Sequence, residues 1–405
     1  MTAPLPHPAL GEYSTESRPT VAFVDLVALA DNFKCLDDLI GTGREVLAVV
    51  KAEAYGHGAP EAAAAFVGAG ARWLAVATVE EGEALIGGSA PGLLDEVRVL
   101  VMSGALPQLA SRIASGGFEA VVWDMAQAEA LAAAATSAGR LARVHVKIDS
   151  GMHRLGIPPG EAPDFFRRLG DMAGVEATGL MSHLAQADEE GGGEPTREQF
   201  AIVRALMSEL EADGLLPPTI HTANSAGGIS YPDAPGTLVR CGIALYGCPP
   251  QGEGGAPLRA ALTLKSALIQ IKDVPAGEAI GYGGTWRMKK PGRIAVVPVG
   301  YADGYPRILS SRADVLVRGQ RVPIAGRVSM DMITVDVSEI EDAVVGDEVI
   351  LIGTQGDETI PCEALATLSH TITYEILSRL GHRVPRVFFE AGGVAGHRII
   401  GGGVV

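Results

Sequence analysis

Apolar residues follow two different rhythms along this chain. From residue 20 to about 245, short apolar runs alternate with longer segments whose apolar positions recur at helical spacing. The runs are 45–50, 73–77, 97–102, 120–123, 143–148, 177–182, 219–222 and 238–241. They are rich in Val and Ile, the pattern of strands buried on both faces. The segments between them, such as 61–67, 125–137 and 197–213, are Ala-rich, with Gly68, Gly139 and Gly214 placed as helix C-caps. Eight strands alternating with helices over roughly 225 residues predict a (β/α)8 barrel. A doubly wound sheet would carry a Gly-rich turn after its first strand, and Lys51 stands there instead.

After about residue 255 the rhythm shortens. Residues 251–256 are Gly-rich and read as a linker. Beyond them come closely spaced runs at 262–274, 293–299, 314–317, 321–324, 334–337 and 348–352, joined by turns of Gly, Pro and Asp. This predicts a mainly antiparallel β domain, interrupted by one helix over about 362–380. The expected organisation is an N-terminal extension at 1–19, the barrel at 20–255 and the β domain at 256–405.

Composition adds exclusions. The 405 residues are too many for one ordinary domain. Lys and Arg number 32 against 48 Asp and Glu, so the net charge is −16. No general affinity for nucleic acid or an anionic membrane is expected from that balance. Aromatic residues are 5%, so the core must be largely Ala, Val, Leu and Ile. Cys35, Cys241, Cys248 and Cys362 form no CxxC and no zinc spacing, so no metal is expected and the thiols read as reduced. The N-terminus has no apolar signal region and no run of 18 apolar residues exists, so a cytoplasmic setting is expected.

Barrel active sites lie where the strands end. The polar residues there are Lys51, Arg154, His183, Asn224 with Ser225, and Arg240. Cations and hydroxyls from several strands thus predict one mouth that takes an anion. A lysine leaving a buried strand has a lowered pKa and can serve as nucleophile or base, whereas a lone strand-end lysine can equally reach solvent. Gly56-His57-Gly58 after it would permit close backbone approach to a ligand. Lys147 and Asp149 share a strand face, as an internal salt bridge would. Arg154 has the chemistry for a carboxylate or a phenol, and equally for the surface. Ser225 opens a short turn of small residues, and Gly242 and Ile243 follow the last strand, where barrels commonly hold phosphate.

Ten ordered motifs carry a resemblance over nearly the whole chain beyond residue 20. They are VVKAEAYGHG, DSGMHRLG, MSHLAQAD, HTANSAG, VRCGIALYG, IGYGGTW, VPVGYADGYPR, GRVSMDM, TITYEILSRLG and RVPRVF. The sequence resembles the alanine racemases, which depend on pyridoxal 5′-phosphate and join a (β/α)8 barrel to a β domain. The resemblance implies that Lys51 carries the cofactor as an aldimine and acts as one base. Tyr282 would be the opposite base, supplied by the partner in a homodimer with shared sites. Tyr55, Ser225, Gly242, Ile243 and Tyr374 would hold the phosphate, with Asn224 nearby. Arg240 would face the pyridine nitrogen, backed by His221, and His183 would lie beside the ring. Arg154 and Met330 would meet the substrate, with Lys147 and Asp331 behind them. Lys147 matches a lysine carbamylated in some members. Glu53 stands where the family commonly has Asn or Asp, and the alternation on that turn points it outward.

The implied function is interconversion of L- and D-alanine, supplying D-alanine for peptidoglycan. Removing the α-proton from one face and returning it to the other needs two opposed bases. A broad-specificity or serine racemase would use the same bases. A non-catalytic cofactor carrier of this type resembles the barrel half alone. A decarboxylase of this fold would place an acid, not Arg240, at the ring nitrogen.

Overall fold

The computed structural model describes residues 18–189, 192–249, 256–390 and 393–398. Most of the expected 1–19 extension and of the 251–256 linker, with the 255/256 boundary, lies outside the described residues. The chain divides into two units, of which one is 29–54 with 59–258 and the other is 1–28, 55–58 and 259–405.

Strand β1 (Val21–Asp25) comes first. The eight expected runs follow as β2 (Glu45–Val49), β3 (Trp73–Val76), β4 (Arg98–Val101), β5 (Glu119–Val122), β6 (Ala142–Lys147), β7 (Val175–Met181), β8 (Thr219–His221) and β9 (Leu238–Cys241). All pair in parallel, in the order β8-β7-β6-β5-β4-β3-β2-β9. The ring is nearly closed between β8 and β9 by one bridge, Asn224 to Arg240, with Arg240 N–H donating to the Ala223 carbonyl at 3.1 Å. Helices such as Met125–Ser137 and Gly193–Ala212 connect the strands, each with a buried apolar side. The barrel forms because strands apolar on both faces need cover inside and out.

The second unit is built on β10 (Leu262–Ala267), β11 (Gln270–Val274), β12 (Ala279–Ile280), β13 (Trp286–Arg287), β14 (Gly292–Val297), β15 (Asp314–Val317), β16 (Gln320–Pro323), β17 (Ile333–Asp336), β18 (Glu348–Gln355), β19 (Glu358–Ile360), β20 (Arg386–Glu390) and β21 (Gly393–Arg398). Pairing is antiparallel except between β1 and β20. The run at 262–274 is two strands, not one, because β10 pairs with β18 while β11 pairs with β14 in a separate sheet. The helix expected over 362–380 is likewise two, Cys362–Leu368 and Thr373–Ser378. His370 adopts φ +54 between them, which a right-handed helix cannot pass through.

The largest departure is β1. The sequence expectation starts the barrel at residue 20, whereas Val21–Asp25 lies between β10 and β20 in the other unit. Val21 and Phe23 are fully buried against Val387 and Phe389. Each such side chain contributes about 1.5–3 kcal/mol relative to exposure. Among the described residues no helix is long and apolar enough to cross a membrane.

Candidate active site

Lys51 follows the C-terminal end of β2, where a barrel presents its reactive groups. Past it, Ala52, Glu53, Ala54 and Tyr55 all have φ between +52 and +53. This left-handed turn costs roughly 1–2 kcal/mol per non-glycine residue. Hydrogen bonds hold it. The Ala54 N–H donates to the Val50 carbonyl at 2.9 Å, and the Ala52 N–H to Glu81 Oε1 at 2.7 Å. Glu81 Oε2 accepts from Ala77 N–H at 2.6 Å, while Glu81 N–H donates to Thr78 Oγ1. Glu81 thereby joins the residue after the lysine to the end of β3.

Exposed Ala52 makes the turn testable. Ala52→Gly removes one left-handed penalty and adds unfolded-chain entropy, for a net stabilisation of about 0.5 kcal/mol. Chemical denaturation reads it, and a destabilised variant would contradict a strained turn.

Glu53 does not point outward. Its carboxylate accepts the Ala59 N–H at 3.1 Å and caps the helix Ala59–Gly68. Gly56, at φ +83, serves the protein's own backbone: a Cβ there would lie 2.3 Å from the Leu377 carbonyl oxygen.

The expected cations of the barrel lie close enough to act on one another electrostatically. Burial lowers the Lys51 amine below the ordinary lysine value, the positive field of Arg154 and Arg240 adds to this, and Glu81 opposes it. Burial, with Arg240 and Arg154 against Asp149, brings buried Lys147 down to about 7. The Lys147 ammonium donates to the Ile148 carbonyl at 3.0 Å. Asp149 bonds within its own loop rather than in the expected Lys147 salt bridge: its carboxylate accepts from the Gly151 and His153 N–H groups and from His153 Nδ1. Arg154 is exposed on that loop.

Arg240 is 4% exposed. Its Nη1 donates to the His221 carbonyl at 2.6 Å and to His221 Nδ1 at 3.2 Å. Its Nη2 donates to the Ser182 carbonyl and to His183 Nδ1, both at 2.8 Å. Among the described residues these bonds use Nη1 and Nη2 and leave Nε–H over. His183 sits well below the ordinary histidine pKa through burial and the nearby Arg240, Lys147, Arg154 and Lys51. It is therefore a neutral acceptor towards Arg240.

Asn224 Oδ1 accepts the Gly227 N–H at 2.9 Å and caps the short helix Ser225–Ser230. Ser225 Oγ accepts the Gly242 N–H at 2.9 Å, so the hydroxyl proton is left to donate. That bond joins two separate segments, so Ser225, Gly242 and Ile243 form one buried cluster.

The other unit brings Tyr55 and Tyr374 edge to face, with ring centroids 5.9 Å apart. Fully buried Arg386 supports them: it donates to the Gly56, Leu380, Gly381 and Val384 carbonyls. Tyr282 is 71% exposed, on a turn where Gly283 sits at φ +72 against the Arg327 guanidinium. Met330 is exposed, its carbonyl accepting the Ala302 N–H at 3.0 Å. Asp331 pairs with Arg383 at 2.9 Å.

Sequence reading missed Glu81 and the interior of the barrel. Thr78-x-x-Glu81 is a capping-box spacing and was available as a signal. Glu119 and His145 carry no such signature: Glu119 opens its strand, and His145 is one of three polar residues alternating in 143–147.

Two family models match the chain: "Alanine racemase, N-terminal domain" over residues 24–250 and "Alanine racemase, C-terminal domain" over 261–388. An alanine racemase of Symbiobacterium thermophilum is 43% identical over 375 residues, covering 92% of this chain and 97% of that protein. A solved alanine racemase of Clostridium difficile is 33% identical with a TM-score of 0.87, covering 94% of this chain and 98% of that one. The alanine racemase of Bacillus anthracis, solved with bound L-Ala-P, is 34% identical with a TM-score of 0.86, covering 95% and 98%. With both halves matched, and relatives at this identity spanning nearly the whole length, the chain belongs to the alanine racemase family.

Proposed function

We propose that this protein interconverts L- and D-alanine with pyridoxal 5′-phosphate, using Lys51 and Tyr282 as the two bases. The observation that carries the reading is the buried Lys51 amine in the positive field of Arg154 and Arg240 at the strand ends of a racemase-family barrel. The donor set suits the cofactor. The buried Ser225 hydroxyl beside the Gly242–Ile243 backbone suits a phosphate, and the spare Nε–H of Arg240 suits an unprotonated ring nitrogen. When bound, the cofactor supplies an electron sink for the charge left as the Cα–H bond breaks.

The residues divide the remaining work. Lys51, with its lowered pKa, takes or returns a proton on one face. Tyr282 acts on the other face, supplied by the partner of a homodimer; its exposure supports that assignment. Arg154 holds the substrate carboxylate beside Met330. Arg240 stays protonated and keeps the ring nitrogen free of a proton, which limits side reactions. Tyr55 and Tyr374 assist at the phosphate, while His183, His221, Asn224 and Asp331 keep these groups in place. The matched C-terminal domain speaks against a barrel-only carrier. The four cysteines, none of them in a disulfide among the described residues, support a reducing, cytoplasmic setting.

Incubation with L-alanine, L-serine and L-lysine, with and without added cofactor, followed by chiral analysis, tests the function. D-alanine is expected as the main product. D-serine as the main product would move the assignment to a serine racemase, and no D-amino acid at all would remove it.

Lys147 is carbamylated in this reading. Its amine attacks carbon dioxide, an N–C bond forms and one proton leaves to solvent, giving an anion beside Arg154. The amine is neutral above its pKa of about 7, so carbamate should accumulate as pH rises through 7. With 13C-bicarbonate, a carbamate NMR signal is expected in the native protein and not in Lys147→Ala. Equal signals in both would refute the assignment.

A further inference from the structure

The interior of this barrel is not filled by aliphatic side chains alone. Two bonds, Glu119 with Thr178 and His145 with His221, join strands that are not neighbours, β5 with β7 and β6 with β8, so they cross the inside of the ring. Arg98 lies 3.8 Å over the Trp73 ring and pairs with Glu119, its Nη2 donating to Oε2 at 2.7 Å. Thr178 Oγ1 donates to the same oxygen at 3.2 Å. His145 Nε2 lies 2.9 Å from Glu119 Oε2, and His145 Nδ1 lies 2.7 Å from His221 Nε2. His221 Nδ1 then meets Arg240 Nη1. Glu119 is 3% exposed, and both imidazoles are fully buried.

The direction of every proton in this row follows. Burial opposes ionisation of Glu119, but hydrogen bonds from His145 and Arg98 outweigh it and hold the carboxyl at about 2. Glu119 is therefore an acceptor only. Burial keeps both imidazoles neutral, His145 against the pull of Glu119 and His221 beside His145 and Arg240. His145 must donate from Nε2 and accept at Nδ1. His221 must then donate from Nε2, which leaves Nδ1 as a lone pair towards the guanidinium.

We propose that Glu119 is a positioning residue for racemisation: by accepting from His145 it fixes both imidazoles as Nε2–H tautomers and so holds the Arg240 guanidinium in place. The consequence for the reaction rests on the assignment of Arg240 to the ring nitrogen. Without an acceptor at position 119, His145 Nε2–H would be an orphaned buried donor. Inverting both tautomers avoids that, but turns His221 Nδ1–H against Arg240. The strain falls on the His221 Nδ1 link, at 3.2 Å the longest of the row, since Nη1 keeps the His221 carbonyl at 2.6 Å. The guanidinium shifts as a result.

Nitrogen-15 NMR of labelled histidines tests this in the enzyme with and without cofactor, with His145 assigned through His145→Gln. Both imidazoles are expected neutral and protonated on Nε2. A proton on Nδ1 of either, or an imidazolium, overturns the proposal whatever the enzyme's activity. Glu119→Leu is expected to move both tautomers to Nδ1–H. It should lower kcat about tenfold, the scale of one displaced charge-assisted hydrogen bond. KM for alanine should change little, and pyruvate formed per D-alanine should rise. Glu119→Gln should keep the tautomers, its amide oxygen taking the place where three donors meet. Unchanged tautomers in E119L, or inverted tautomers with an unchanged pyruvate ratio, overturn the proposal. Should E119L not fold, His145→Leu breaks the same row, and an unchanged pyruvate ratio there overturns it equally. A native enzyme that forms no D-alanine would count against the functional assignment instead, and the tautomer result would still stand.

Discussion

Lys51→Ala is expected to lose racemisation by at least about 10⁴-fold, the combined scale of a covalent attachment point and a general base. Alanine has no amine at the end of β2, and Lys147, the other buried amine nearby, is displaced along a different strand. Borohydride reduction followed by mass spectrometry should find the cofactor bonded to the native chain and not to the variant. Stability should hold or rise slightly, because the amine removed stands in the positive field of Arg154 and Arg240. A variant that racemises alanine within tenfold of the native rate would remove Lys51 from the mechanism.

The second large effect requires two inactive chains. Tyr282→Phe deletes the phenol and is expected to cost about 10²–10⁴-fold alone. Mixed in equal amounts with Lys51→Ala and allowed to exchange, half the dimers are hybrids with one intact site. Activity should return to about a quarter of the native level. The expectation follows from Tyr282 being 71% exposed on a turn rather than packed in a core. Native mass spectrometry would prove the exchange. Proven hybrids without activity would mean that each chain completes its own site.

The barrel was legible because its eight strands are apolar on both faces, and local pattern reports that directly. Val21–Asp25 has the same apolar character, yet its partners lie far along the chain, at 262–265 and 386–389. Local pattern cannot say which sheet a strand joins. The helix break at His370 and the division of 262–274 likewise depend on tertiary partners. Lys51, Arg240 and Ser225 stood out because they end or follow strands. Glu119 and His145 did not, because a polar residue at a strand start or in alternation looks the same whether it faces solvent or a partner across the barrel. Glu53 shows the limit of alternation: it assumes right-handed backbone, and that turn is left-handed.

The placement of β1 bears on how the chain is made. Val21–Asp25 is translated among the first strands, but its parallel neighbour, Arg386–Glu390, comes roughly 360 residues later, about 20–70 s at ordinary ribosome speeds. The barrel strands β2 to β9 are all complete well before that. Until Leu262–Ala267 is made a largely apolar strand has both edges open, and one edge stays open until Arg386–Glu390 follows, the arrangement that invites pairing with another nascent chain. Biosynthesis therefore places a demand on residues 21–25 that the finished protein does not reveal: they must be shielded until the last strands arrive to clasp them.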